Sequence, residues 1–184
     1  MLMVGLLSFL SLANAEVAAD YGFNIQRAEL HAFDEGKLYL LDADIDYRFS
    51  EPAIEALRNG VSLGLVLRVK VKPENAWWLE DAVLDEKISF RICYHALSRL
   101  YQIIYENIEP PLNFVSYNAL LEAMGSLREF PVVLAFQLSQ GERYRASLSV
   151  GLDIESLPLP LRPVAYINPA WHLNSPQYKW TFVK

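Results

Sequence analysis

The chain has 184 residues, 53% of them hydrophobic and 12% aromatic, with a formal net charge of −6. A chain of this length can bury a sizeable core without disulfide or metal staples. The acidic balance argues against nucleic acid and anionic headgroups as partners.

Leu2 to Leu12 is apolar except for Ser8 and Ser11, and the run closes on Ala13-Asn14-Ala15 ahead of Glu16. Small residues at those two positions mark the cleavage site of a secretory leader, although the only positive charge before Glu16 is the α-amino group. The run falls short of the ~20 apolar residues a spanning helix needs, and no second run of that length follows. The expectation is a signal peptide over 1–15, cleaved after Ala15, and a single exported β-rich domain over 16–184. Its location would be periplasmic, with no stable membrane insertion after leader cleavage. The lone cysteine, Cys93, is far from the cleavage site, so it neither carries a lipid there nor closes an internal disulfide. Flanked by Ile92 and Tyr94, it reads as a buried structural thiol. The chain has no Asn-x-Ser/Thr acceptor with a permitted middle residue, which favours a bacterial periplasm.

Along the mature chain, Asn24 to Phe33 is expected to pair with Leu38 to Tyr47 as a hairpin through Asp34-Glu35-Gly36. In the second segment Tyr39, Leu41, Ala43, Ile45 and Tyr47 share one face and Asp42, Asp44 and Asp46 the other, the period of a half-buried strand. Ser50 then reads as the N-cap of a short helix with Pro52 in its first turn and Asn59-Gly60 at its end. Val61 to Val71 alternates again, with Arg68, Lys70 and Lys72 opposite the leucines. From Trp77 to Asn107 the spacing fits either a helix or strands, and the density of aromatic and β-branched residues favours strands. Ser116 to Leu127 carries a helical stripe capped by Ser116. Pro131 to Leu138 and Tyr144 to Leu152 read as strands joined across Gln140-Gly141-Glu142. The Pro-rich tail from about residue 156 is expected to run extended over the surface and return Trp171 to Lys184 to the domain. These elements predict an α+β, mainly antiparallel β class: a β-sandwich or curled sheet with two short helices.

With those elements in place the chain resembles the bacterial DUF4390 family of exported proteins of unknown function. The resemblance rests on the leader, Leu41-Asp42-Ala43-Asp44-Ile45, Trp77-Trp78-Leu79 and the string from Phe90 to Arg99. It ends in Trp171-His172-Leu173 and Tyr178-Lys179-Trp180, and so spans essentially the whole mature chain. The tail departs from the family pattern at Ala170 and at Pro176-Gln177. Membership implies strand over Phe90 to Glu106, an envelope location and no assigned activity. The family's association with genes for membrane sensor kinases implies, by analogy, a signalling accessory role.

Three clusters bear on chemistry. Asp42, Asp44 and Asp46 offer three carboxylates on one face, which suits a hard cation, but Tyr47 and Ala53 stand where an EF-hand needs glycine and glutamate. A solvated strand face is the plainer reading. His31, His95 and His172 are scattered and form no His-Glu-x-x-His pattern. His95 would become a general base if Glu80 or Asp81 met it across strands; otherwise its ring is satisfied within a sheet. The chain has no Gly-x-Ser-x-Gly elbow and no phosphate-binding glycine loop. The expected function is therefore non-catalytic: a periplasmic binding or accessory module acting by protein contact, linked to envelope signalling. Its partner would be an envelope or membrane protein such as a sensor kinase, with no nucleic acid, cofactor or metal. Trp77, Trp78, His95, Trp171 and Trp180 are the candidate binding residues. The alternatives are a carrier of an apolar small molecule or lipid and an uncharacterised hydrolase. A binding module requires an exposed apolar patch or open strand edge, a carrier a closed apolar pocket.

Overall fold

The structure, a computed structural model, describes residues 20–33, 38–75, 82–106, 108–133 and 138–184. The leader, the Asp34-Glu35-Gly36 turn, Trp77, Trp78, Glu80 and Asp81 lie outside the described residues.

Among the described residues, nine antiparallel strands form two sheets. The smaller has the order β1-β2-β7 and the larger β6-β5-β4-β3-β8-β9. Strands β1 (Gly22–Phe33) and β2 (Leu38–Arg48) make the expected hairpin, with Ala28 opposite Ala43. The face of β2 carrying Tyr39, Leu41, Ala43, Ile45 and Tyr47 is buried throughout. In β3 (Leu63–Pro73), Leu63, Leu65, Leu67, Val69 and Val71 are likewise buried. The two faces belong to one apolar cluster, each such side chain contributing roughly 1.5–3 kcal/mol of burial. The class is the expected one, α+β and mostly antiparallel, with a curled sheet.

The ambiguous middle of the chain is strand: β4 (Leu84–His95) and β5 (Leu100–Tyr105), joined by a turn in which Arg99 has φ 55°. Phe90, Ile92 and Ile103 enter the core, and β6 (Ile108–Phe114) forms the edge beyond β5. Helix α1 (Glu51–Arg58) begins after Ser50 with Pro52 in its first turn, as expected. Ser50 does not cap it, however. Its hydroxyl donates instead to the Ala170 carbonyl at 2.6 Å, 120 residues away. Helix α2 (Tyr117–Gly125) is capped by Ser116, whose hydroxyl accepts from the Ala119 amide. It stops at Gly125 rather than Leu127, where the chain enters β7 (Ser126–Val133). A Cβ on Gly125 would lie 2.6 Å from the Ile45 carbonyl oxygen, so glycine allows helix and strand to approach.

Two late expectations change. Among the described residues, which leave out 134–137 of the expected strand, β7 does not pair with β8 (Arg143–Leu152). It lies against β2 in the smaller sheet, while β8 lies between β3 and β9. Local turn chemistry favoured a hairpin, but the apolar faces of the two strands are needed in different sheets. The tail is also more folded than expected. Leu157 is fully buried, and a third helix, α3 (Arg162–Ile167), starts with Pro163 in its first turn, where a missing N–H costs nothing. Beyond it β9 (Tyr178–Val183) pairs with β8, returning the tail to the sheet as anticipated.

Candidate functional site

The acidic face of β2 is occupied by partners on β7 and on β2 itself. Asp42 accepts the Glu129 amide at 2.7 Å, Asp44 pairs with Arg128, and Asp46 lies 3.1 Å from Arg48. The first two contacts hold an irregularity in β7, where the register against β2 slips and Glu129 has φ 49°. That left-handed conformation is unfavourable for a non-glycine residue, and the carboxylate on its N–H helps to fix it. The carboxylates therefore diverge to separate partners and do not converge on a centre. His31 lies 3.5 Å from Asp42 and 3.6 Å from Glu29 on the same exposed ladder.

His95 sits at the exposed end of β4. Its Nε2 is 3.1 Å from Gln102 Oε1 on β5 and 3.6 Å from Cys93 Sγ, and Gln102 in turn donates to Asn113 on β6. Strand alternation and register produce this chain, since Cys93 and Gln102 are paired across the ladder. Cys93 is buried, which pushes its thiol pKa up, with Arg91 opposing the shift. At neutral pH the sulfur is a protonated thiol and a poor nucleophile. Among the described residues the His95 ring meets neither a carboxylate nor a serine.

The candidate tryptophans separate. Trp171 is buried in the core, beside the Ala170 carbonyl that Ser50 holds. Trp180 is half-buried on the inner face of β9, against Tyr178 at 5.9 Å between ring centres, and its indole N–H meets no acceptor. Trp180 does not come near His95 in sheet order, since β9 and β4 are separated by β8 and β3. Among the described candidates, Trp180 and His95 are thus not brought together, and Trp77 and Trp78 lie outside the described residues.

A different feature is assembled. Strand β5 covers only the Phe90–His95 half of β4. The other half, from Asp85 to Ser89, is an edge among the described residues. The Glu106 amide donates to the Ser89 carbonyl, so Ser89 points its backbone away from β3. Lys87 and Asp85, two and four residues earlier, do the same. Facing this edge across a groove of about 210 Å³ are Phe130 and Pro131 of β7. Ile88, Tyr105 and Ile108 supply the remaining apolar surface, and a Tyr105–Phe130 ring contact at 5.5 Å brings the two lips together. Glu86, Lys87 and Glu106 give the rim both signs of charge.

A family model for a domain of unknown function, DUF4390, matches residues 20–181. The chain belongs to the DUF4390 family. No curated protein and no solved structure matches it. Membership assigns this DUF4390 chain no reaction or ligand. The groove was missed in its sequence because it depends on which half of β4 the shorter β5 covers, and on β7 joining the other sheet. The only local signal was the mismatch in strand length around the turn at residues 96–99. No helix among the described residues is long and apolar enough to cross a membrane.

Proposed function

We propose that this DUF4390 protein is an exported, non-catalytic binding module of the bacterial envelope that captures an extended segment of a partner protein along the free edge of β4. The observation that carries this reading is the backbone of Asp85 and Lys87, without a strand partner among the described residues on that side, beside an apolar groove. An added strand would take its main-chain hydrogen bonds from that edge and seat alternate side chains against Ile88, Tyr105 and Phe130. Export is supported by the leader, and a membrane sensor kinase is the partner class that the family's gene neighbourhood implies. The groove is open along its side, which suits a strand better than the enclosed apolar cavity a carrier uses.

Crosslinking in intact cells followed by affinity purification tests the proposal. The wild type should recover a defined envelope protein. Lys87→Pro removes the outward N–H at an edge position that tolerates proline, and should lose that protein while keeping its circular dichroism spectrum. Equal recovery by the folded variant would refute the edge as the site. Recovery of no envelope partner, where a known complex is recovered, would refute the binding reading.

A further inference from the structure

The outer face of the larger sheet carries a concentration of cations that the chain's net charge of −6 conceals. Arg68, Lys70 and Lys72 of β3, Arg143 and Arg145 of β8 and Lys179 of β9 all project from it, six of the chain's 16 Lys and Arg residues. Carboxylates answer three of them. Asp85 takes both Arg68 and Lys70, and Glu74 takes Arg143 at 3.4 Å. Among the described residues, Arg145 and Lys179 have no carboxylate within ion-pair distance.

Register brings these groups together. Lys70, Ser147 and Lys179 form one row across β3, β8 and β9, and Lys72, Arg145 and Thr181 the next. Adjacent strands are about 4.8 Å apart, so long side chains from neighbouring rows reach a common point. A groove of about 300 Å³ opens there, with Lys70, Lys72, Arg145 and Lys179 on its walls together with Ser147 and Gln177. Among the described residues no carboxylate lines it. Like charges placed directly opposite, as Lys72 and Arg145 are, destabilise a ladder. An external anion seated between them would offset that repulsion.

The same face discriminates between classes of anion. Among the described residues it carries no Phe, Tyr or Trp, so there it lacks both the anchors that dominate protein interfaces and the platforms on which bases stack. Charge and hydrogen-bond donors spread over a sheet face match a surface that presents many phosphates and nothing to stack. We propose that this face docks the protein peripherally on an anionic phospholipid surface, with the Arg145–Lys179 groove seating a phosphate-bearing headgroup. The inference is independent of the peptide-binding edge, since the groove shares no residue with it.

Co-sedimentation of the mature protein with phosphatidylcholine vesicles, with and without phosphatidylglycerol, tests it. Binding should require phosphatidylglycerol and fall with added salt. Each cation near such a surface changes partitioning by roughly fivefold. The Arg145→Gln/Lys179→Gln variant should therefore bind roughly 25-fold more weakly, with an unchanged thermal melt. Arg58→Gln, on the exposed end of α1, serves as the control and should match the wild type. Equal binding to neutral vesicles would overturn the proposal. So would an unaffected double variant, or a protein that binds inorganic phosphate at the groove yet ignores the vesicles.

Discussion

Ser50 separates two accounts of how the tail is held. Its position before α1 is that of an N-cap, and removing a capping serine costs about 1 kcal/mol through the helix. In the structure its hydroxyl is buried and donates to the Ala170 carbonyl at 2.6 Å, so Ser50→Ala should act on the tail instead. The lost hydrogen bond is worth about 1 kcal/mol, and a partly buried carbonyl left without its donor adds up to another. The expected loss is about 1–2 kcal/mol in urea unfolding, accompanied by faster hydrogen exchange over residues 169–173. Ser50→Asp makes the distinction sharper. Aspartate is as good a cap as serine, but an ionised carboxylate has no proton to share with a carbonyl oxygen at this distance. Ser50→Asp should therefore be less stable than Ser50→Ala. If Ser50→Asp matches the wild type while Ser50→Ala is destabilised, the hydroxyl is a cap and the tail contact contributes nothing.

Other expectations follow from single contacts. Gly125→Ala should destabilise by about 1–2 kcal/mol in urea unfolding, because crowding the Ile45 carbonyl outweighs the gain in helix propensity. Asp85 is held at about 2, from an ordinary 3.8, chiefly by its hydrogen bonds from Arg68, with Lys70 also lowering it. A depressed carboxylate stabilises the fold above pH ~4 and loses that contribution as pH falls towards 2. Solvent screening keeps the effect near or below about 1 kcal/mol. Asp85→Asn should accordingly narrow the stability difference from the wild type between pH 4 and 2, as read from thermal melts. Native Cys93 should react with a thiol reagent at neutral pH far more slowly than the urea-unfolded chain; equal rates would show that burial does not shield the thiol.

Those contacts also show what the sequence could and could not reveal. Period-two alternation located β2 and β3 and their buried faces, because each strand has one wet side and every second residue must be apolar. The aromatic and β-branched residues from Phe90 to Ile103 likewise distinguished strand from helix. Pairing was less legible. The turn at Gln140-Gly141-Glu142 is compatible with a hairpin, and only the packing of both sheets sends β7 to β2. Ser50 and Pro163 were misjudged for a related reason: their local rules allow two outcomes, and contacts more than 100 residues away, or a helix starting under the proline, decide between them. The candidate tryptophans were chosen by composition, which cannot distinguish a buried Trp171 from an exposed ring. The basic face was half visible in the alternation of Arg68, Lys70 and Lys72. Its other half, Arg145 and Lys179, joins it only through register.

The account's central claim is that a partner strand lies between the free edge of β4 and β7. Site-specific photocrosslinking in cells addresses it most directly, with a photoreactive residue placed in turn at Lys87, at Pro131 on the opposite lip, and at Glu122 on the exposed side of α2. The account predicts adducts of one and the same envelope protein from the Lys87 and Pro131 positions and none from Glu122. Adducts at Glu122 alone, or different proteins from the two lips, would contradict it.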